Sequence, residues 1–269
     1  MTAPEGRADR SERSHYVRTP APWVAGCSDI GLKHLTNQDA LSLAARTEPE
    51  RVAVIVIADG VSTALGAEVA SVAASEAACA HLTETFKTDA ALNIALVQAF
   101  SVANDAVFAA ARGGEPSACT LVAAVVQPHQ IAVGSVGDSR AYWIGDDQSC
   151  QLLTTDDSMA QARIMLGMSR AEAETSSQAH SLTKWLGRDS TDVTPSVTML
   201  SPTGNGWLLV CSDGLWNYAS SPGEIYEVFA SILTEDASPA AIVEALVEWA
   251  KLQGGRDNIT AAVARHETH

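Results

Sequence analysis

Four aspartates that each lie at the edge of a short apolar run most constrain what this chain can fold into. Asp59 ends such a run, Asp138 and Asp213 follow others, and Asp257 precedes the last one. Burial at the end of an apolar strand favours the neutral form of a carboxyl group, and several carboxylates close together repel one another. Positive charge must therefore hold them, and a hard divalent metal ion is the simplest candidate.

The composition favours one acidic globular domain. The 269 residues are 46% hydrophobic, enough for one sizeable core, and 17 basic against 32 acidic residues give a net charge of −15. This balance argues against a nucleic-acid partner, since phosphate backbones require a basic surface. The five cysteines are scattered without C-x-x-C spacing, so they predict neither a disulfide framework nor a zinc site. No apolar stretch reaches the roughly 20 residues of a membrane span, so we expect a cytoplasmic protein without a membrane partner.

Residues 1–22 differ in composition from the rest of the chain. They contain four arginines, three prolines and almost no large apolar side chains. Such a segment cannot offset the entropy that is lost on ordering. The sequence therefore predicts a flexible N-terminal arm over residues 1–22, followed by a single domain over residues 23–269.

Hydrophobic periodicity divides this domain into strands and helices. A β-branched run at residues 51–58 predicts a strand that ends at Asp59, and a helix pair is predicted at residues 64–85 and 92–106. Three further runs, at residues 120–126, 130–136 and 141–144, predict an antiparallel meander. A polar, helix-prone insertion follows at residues 156–179. The rest of the chain predicts a strand at 206–212, helices at 225–232 and 242–250, and a last strand at 259–264. Groups of strands alternating with helix pairs favour an α+β layered fold over a doubly wound parallel sheet.

Six short motifs follow one another along the chain. They are Ser28-Asp29-Ile30-Gly31, Asn37-Gln38-Asp39-Ala40, Ala58-Asp59-Gly60, Val136-Gly137-Asp138-Ser139-Arg140-Ala141, Cys211-Ser212-Asp213-Gly214-Leu215 and Gly255-Arg256-Asp257-Asn258-Ile259-Thr260. In this order they resemble the motifs of the metal-dependent protein serine/threonine phosphatases, the type 2C or PPM family, of bacterial type. A single Asp-Gly pair is a common turn signal, so the order of six motifs over about residues 23–266 carries the resemblance.

The resemblance implies a fold and a metal centre. The implied fold is a single-domain, four-layer αββα sandwich of two antiparallel sheets flanked by helix pairs, with two divalent metal ions, Mn²⁺ or Mg²⁺, at one end. Asp59 would bridge both ions, Asp213 and Asp257 would complete the first, and the Gly60 carbonyl would face the second. The residues themselves point the same way, because hard oxygen ligands on rigid strand ends suit octahedral ions that keep several waters.

The resemblance also implies a reaction. Asp39 resembles the aspartate that orients metal-bound water, and Asp138 resembles the acidic residue that helps to hold a third, weaker ion in bacterial members. Two ions about 3.5–4 Å apart lower the pKa of a shared water and hold the phosphoryl oxygens for in-line displacement. The implied activity is hydrolysis of phosphoserine and phosphothreonine in proteins by hydroxide bound to this dinuclear centre, without a covalent phosphoenzyme.

Two positions depart from the family pattern. His34 stands where the family carries an arginine that grips the substrate phosphate, and Gln38 replaces the motif glutamate. His34 is the predicted phosphate contact, weaker than arginine because histidine loses its charge near neutral pH. The alternative for His34 is a surface-loop histidine. No general acid follows Gly60, so a metal-bound water would protonate the leaving alkoxide. His180, which is also a candidate contact with the substrate, is a weaker candidate for this role and could equally be a packing residue.

The leading prediction is a monomeric phosphatase that acts on phosphorylated proteins, either a partner serine/threonine kinase or the targets of that kinase. The insertion at residues 156–179 corresponds to the variable flap that borders the substrate groove in the resembled family. Two alternatives stay open. One is a catalytically weak pseudophosphatase that binds phosphoproteins as a regulatory module, and the other is a regulator phosphatase acting on an anti-sigma-factor antagonist.

Overall fold

The computed structural model describes residues 13–87, 91–111 and 117–268, and this part of the chain forms two antiparallel sheets, a two-stranded ribbon and seven α-helices. The strands are β1 (His15–Ala21), β2 (Val24–Asp29), β3 (Asp39–Arg46), β4 (Val52–Asp59), β5 (Ala118–Cys119), β6 (Leu121–Val126), β7 (Ile131–Val136), β8 (Arg140–Gly145), β9 (Cys150–Leu152), β10 (Leu186–Gly187), β11 (Ser196–Leu200), β12 (Gly206–Cys211) and β13 (Ile259–His266). The helices are α1 (Ala67–Thr83), α2 (Leu92–Ala110), α3 (Met159–Met165), α4 (Arg170–Glu174), α5 (Asp213–Trp216), α6 (Pro222–Ile232) and α7 (Pro239–Gln253).

The two large sheets lie face to face, and helices cover their outer faces. One sheet has the strand order β1-β2-β13-β12-β8-β9, and the other has the order β11-β7-β6-β4-β3. Helices α1 and α2 share a core with the five-stranded sheet, whereas α6 and α7 share one with the six-stranded sheet. A third core fills the space between the sheets. The predicted αββα arrangement in one domain is therefore confirmed.

Strand β4 shows why the sequence contains continuous apolar runs. Val54 and Val56 belong to the core beneath α1 and α2, whereas Ile55 and Ile57 belong to the core between the sheets. All four side chains are completely buried. A strand that is buried on both faces needs an apolar residue at every position, so alternation disappears.

The predicted meander is wrong in one respect. The three runs form β6, β7 and β8, but β8 pairs with β9 and β12 in the other sheet, not with β7. The chain crosses between the sheets at Gly137, whose φ of +101° lies in the left-handed region that favours glycine. A Cβ atom at this position would lie 2.6 Å from the Thr120 side chain. The crossover places Asp138 next to both sheets.

The predicted arm over residues 1–22 is also corrected. Residues 1–12 lie outside the described part of the chain, but β1 pairs with β2, from His15 opposite Asp29 to Ala21 opposite Val24. The Leu41 backbone N–H of β3 donates a hydrogen bond of 3.2 Å to the Tyr16 hydroxyl. An edge strand gains its order from backbone pairing, so it needs few large apolar side chains and leaves little signal in the composition.

The insertion at residues 156–179 contains two short helices. Ser158 caps the start of α3 by accepting a hydrogen bond from the Gln161 backbone at 3.2 Å. Ser169 and Glu172 form a reciprocal capping box at the start of α4. The insertion has a small core of its own, which consists of Ala160, Ala173 and Ala179 with Ile164 packed against them.

Helix α2 is long and apolar enough to cross a membrane by length and composition alone. Its inner face is buried in the core of the five-stranded sheet through Leu96, Ala99, Phe100 and Ala103. Core helices of soluble proteins meet the same two criteria, so this property of α2 is weak evidence for a membrane span.

Candidate metal centre

Five aspartates come together where strands of both sheets end. Asp39 and Asp59 lie opposite each other at the ends of β3 and β4. Asp138 lies in the crossover between β7 and β8, Asp213 begins α5 after β12, and Asp257 lies in the turn before β13. The sandwich therefore brings residues from five separate motifs into one acidic cluster.

These carboxyl groups act strongly on one another. Burial raises the pKa of Asp59 well above its usual value, and the charges of Asp39, Asp213, Asp138 and Asp257 raise it further. Burial likewise raises the pKa of Asp138, and the charge of Asp213 adds to that shift. Groups in this situation are stable as carboxylates only when positive charge is supplied.

A glycine allows Asp213 to approach the Asp257 turn. A Cβ atom on Gly214 would lie 1.9 Å from the Asn258 backbone oxygen, so only glycine permits this contact between α5 and the turn. Burial raises the pKa of Asp213 to about 6, and the charge of Asp257 adds to the shift. The Asn217 amide donates to Asp213 Oδ2 at 3.0 Å, whereas Asp213 Oδ1 is buried without a partner among the described residues.

Asp39 has a similarly asymmetric environment. Its Oδ2 atom accepts hydrogen bonds from Ser212 Oγ at 2.8 Å and Thr260 Oγ1 at 2.7 Å. Its Oδ1 atom is buried and has no partner within the described ranges. Burial raises the pKa of Asp39 to about 7, although the two hydroxyl donors oppose that shift.

The donor set fits a hard divalent cation. Two buried carboxylate oxygens, one each on Asp39 and Asp213, lack a protein partner among the described residues, and the cluster carries several mutually repelling charges. Across residues 13–87, 91–111 and 117–268, no group of three or more His, Cys, Asp or Glu side chains is already arranged to coordinate a metal ion. The fit therefore rests on the unpartnered oxygens and the repulsion, and carboxylates of this kind are the preferred ligands of Mg²⁺ and Mn²⁺.

His34 lies beside the cluster. Its Nε2 atom is 3.2 Å from Asp257 Oδ1, and its side chain is 31% exposed. Asn258 fixes the loop that carries His34, since its amide group donates to the Ile30 and Thr36 carbonyls and accepts from the Gln38 backbone N–H. The structure thus places His34 at the edge of the site, in contact with a candidate metal ligand.

His180 lies on the side of the insertion. Its ring centroid is 6.3 Å from that of Trp216, and its side chain is exposed. Burial raises the pKa of Asp213, and the nearby His180 imidazole opposes that shift. The backbone of Gly60 adjoins the cluster between Gln38 and Cys119.

Arg140 is a structural residue of the site to which sequence reasoning assigned no role. It is 1% exposed, and its Nε and Nη2 atoms donate to the Asp156 carboxylate at 2.9 and 2.6 Å. Its Nη1 atom donates to the Ser220 carbonyl at 2.7 Å, and its guanidinium lies 3.5 Å from the Trp216 ring centroid. Arg140 therefore ties the start of the insertion to the strand that follows Asp138. The position of Arg140 in the Gly-Asp-Ser-Arg motif is the sequence feature from which its role could have been suspected.

The fold and the cluster define a class of protein, a helix-flanked two-sheet sandwich with an acidic centre at one end that suits divalent cations. A sequence model described as protein phosphatase 2C matches residues 32–250. The chain belongs to the protein phosphatase 2C family.

Individual relatives agree with this assignment. The serine/threonine protein phosphatase PstP of Mycobacterium tuberculosis is 30% identical over 246 residues, which cover 89% of this chain but only 44% of that relative. This chain thus spans less than half the length of PstP. The crystal structure of the PPM Ser-Thr phosphatase MsPP from Mycobacterium smegmatis in complex with cacodylate is 30% identical, with a TM-score of 0.72 over 90% of this chain and 97% of that one. The catalytic domain of PstP in complex with 2 manganese ions is 25% identical, with a TM-score of 0.69 over 93% and 99%.

The carboxylate pKa values predict how pH changes the stability of the metal-free protein. Asp39 and Asp213 have pKa values of about 7 and about 6 in the fold, against 3.8 as the ordinary value. The folded state therefore binds more protons than the unfolded state between pH 4 and 7, and stability falls as pH rises through that window. We expect Mn²⁺ to raise the melting temperature more at pH 7.5 than at pH 5.0, as measured by thermal unfolding with and without MnCl₂. Equal shifts at both pH values would contradict this.

Proposed function

We propose that this chain hydrolyses phosphoserine and phosphothreonine in proteins, with divalent metal ions as cofactors. The observation that carries the proposal is the acidic cluster at the end of the sandwich, in which buried carboxylate oxygens lack protein partners. The proposal is also supported by the similarity of this chain, over about nine-tenths of its length, to proteins named serine/threonine phosphatases.

The proposed ligands are those that the family resemblance implies, and they lie in the acidic cluster. Asp59, Asp213, Asp257 and the Gly60 carbonyl would together hold two ions, Mn²⁺ or Mg²⁺. Asp138 would contribute to a third, weaker site. When bound, such ions supply Lewis-acid activation of water and neutralise charge on the phosphoryl oxygens. The protein contributes rigid strand ends that fix the ligands and Asp39, whose free oxygen would orient the attacking water.

His34 is proposed to contact the substrate phosphate, and the support for this is the distance of 3.2 Å between its Nε2 atom and Oδ1 of Asp257, a proposed ligand. His34→Ala is expected to raise the KM for a phosphothreonine peptide by about tenfold, since one charged hydrogen bond is lost. Steady-state kinetics at pH 6.5 and 8.0 would measure this. His129→Ala is the matched control, because His129 is an exposed histidine in the turn between β6 and β7. An unchanged KM in His34→Ala would refute the assignment.

The insertion at residues 156–179 is proposed to border the groove in which the peptide part of the substrate lies. His180 follows it and is exposed beside Asp213 and Trp216, so we propose it as a second contact with the substrate. We further propose that the protein works in the cytoplasm as a monomer, on a partner serine/threonine kinase or on the targets of that kinase.

The proposed function is tested by hydrolysis of a phosphothreonine peptide and of p-nitrophenyl phosphate with Mn²⁺, with Mg²⁺ and with EDTA. We expect metal-dependent turnover that EDTA abolishes and that Asp213→Ala lowers by about 10³-fold, because that variant removes a ligand. No turnover with either metal, together with retained binding of the phosphopeptide, would favour the pseudophosphatase instead. A panel of phosphoproteins would then separate general from regulator-specific activity.

A further inference from the structure

A chain of buried polar groups leads to Asp39 from the opposite sheet. The hydroxyl groups of Ser212 and Thr260 both donate to Asp39 Oδ2. Thr260 Oγ1 also lies 2.8 Å from Ser28 Oγ. The Asn37 amide donates to Ser28 Oγ at 2.9 Å. These five residues are at most 3% exposed, so bulk water does not compete for their hydrogen bonds.

The direction of every proton in this chain follows from the donor count. Each hydroxyl group has one proton to donate. Thr260 Oγ1 donates its proton to the Asp39 carboxylate, so it must accept from Ser28, which in turn accepts from Asn37. Ser212 Oγ also donates to Asp39, and it accepts from the Thr260 backbone N–H at 3.0 Å. All the protons are therefore directed toward Asp39 Oδ2.

This arrangement makes the two oxygens of Asp39 unequal. Oδ2 receives two donors, whereas Oδ1 is buried with no partner among the described residues. Asp39 lies on β3 of one sheet, whereas Ser212 follows β12 and Thr260 lies in β13 of the other. The hydroxyl groups thus fix both the rotation of the carboxylate and its distance from the second sheet.

We propose that Thr260 and Ser212, supported by Ser28 and Asn37, are positioning residues that hold the Asp39 carboxylate in one orientation and leave Oδ1 alone to accept a hydrogen bond from the attacking water. This inference rests on the proposed function and deepens it. It separates the role of Asp39 from that of the metal ligands, because the hydroxyl groups act on the orientation of Asp39 and not on the affinity for the ions.

The test compares two substitutions at one position. Thr260→Val keeps the shape of the side chain and removes the hydroxyl group, whereas Thr260→Ser keeps the hydroxyl group and removes the methyl group. For a phosphothreonine peptide with Mn²⁺, we expect Thr260→Val to lower kcat by at least about tenfold, as losses of supporting hydrogen bonds do, with KM within about threefold. Thr260→Ser should stay within about threefold of the wild type in both constants. Equal losses in the two variants, or a wild-type kcat in Thr260→Val, would overturn the proposal.

Ser135→Ala is the control for loss of a buried hydroxyl group in itself. Ser135 is 2% exposed on β7, and its hydroxyl group has no partner within the described residues. Its kcat should equal that of the wild type. If Thr260→Val does not fold, Ser28→Ala replaces it, one hydrogen bond farther from Asp39, and the proposal then requires a lower kcat at unchanged KM.

A second measurement does not depend on turnover. In a double-mutant cycle of Thr260→Val with Asp39→Ala at pH 8, the unfolding equilibrium constant of the metal-free protein should show a coupling of at least about tenfold. Either substitution alone already removes the hydrogen bond between Thr260 and the carboxylate, so the double variant does not lose it a second time. No coupling would overturn the inference. A wild-type protein that fails to hydrolyse phosphoesters would defeat the proposed function, while this cycle would still decide whether the hydroxyl groups hold Asp39.

Discussion

Asp59→Asn is expected to abolish phosphoester turnover and, at the same time, to raise the melting temperature of the metal-free protein at pH 8. The loss of turnover, by about 10³-fold or more, follows from removal of a proposed metal ligand. The gain in stability follows from the cluster, because burial and four neighbouring carboxylates raise the pKa of Asp59 and thereby oppose its ionisation in the fold. Asparagine fills the same space without that charge, so repulsion is relieved.

Two measurements and one control decide this prediction. Steady-state hydrolysis of a phosphothreonine peptide with Mn²⁺ reports turnover, and thermal unfolding with EDTA reports the stability of the metal-free protein. Asp105→Asn removes one charge from the exposed face of α2, outside the five aspartates of the cluster, and should change neither quantity. A lower melting temperature for Asp59→Asn would mean that the carboxylates do not repel one another as described. Retained turnover would mean that Asp59 is not a ligand.

Arg140→Met is expected to lower the free energy of unfolding by about 3–5 kcal/mol, the usual cost of leaving one partner of a buried ion pair alone. The substitution would leave the Asp156 carboxylate, which is 7% exposed, without its bidentate partner. It would also leave the Ser220 carbonyl without that donor and remove the cation from the face of Trp216. Unfolding in guanidinium chloride measures the difference.

The matched control is a partly exposed arginine in the same sheet. Arg265 makes a bidentate pair with Asp146 at 2.6 and 2.7 Å and lies over Trp207, but the Asp146 side chain is 46% exposed. Arg265→Met should therefore cost about 1 kcal/mol or less. The double variant Arg140→Met with Asp156→Leu should recover most of the lost stability, because no buried charge is then left unpaired. If the double variant is as unstable as the single one, packing and not charge explains the role of Arg140.

The sequence predicted the layers of the fold because their signals are local. The run at residues 51–58 became β4, and the two helix pairs formed where the apolar periodicity indicated them. The errors concern interactions that depend on distant parts of the chain. Strand β8 follows β7 after a short turn, yet it pairs with β9 and with the distant β12 in the other sheet, and β1 is ordered by pairing with β2 instead of by its own side chains.

The candidate site was predicted in part for the same reason. The aspartates lie in short motifs that can be recognised one at a time, so their residue numbers could be named from the sequence. The groups that hold them could not, because Thr260 and Ser212 reach Asp39 across more than 170 positions and from the opposite sheet. Likewise, the partner of Arg140 lies at the start of an irregular insertion whose path no periodicity predicts.

The most direct test of the central claim is to titrate the metal-free protein with Mn²⁺ while following hydrolysis of a phosphothreonine peptide. The acidic cluster predicts no turnover with EDTA, a rise on addition of Mn²⁺, and saturation once two ions are bound per chain, with no rise in Asp59→Asn. Turnover that persists with EDTA, or a chain that binds Mn²⁺ at this site and hydrolyses no phosphoester, would contradict the assignment of this cluster as a phosphatase centre.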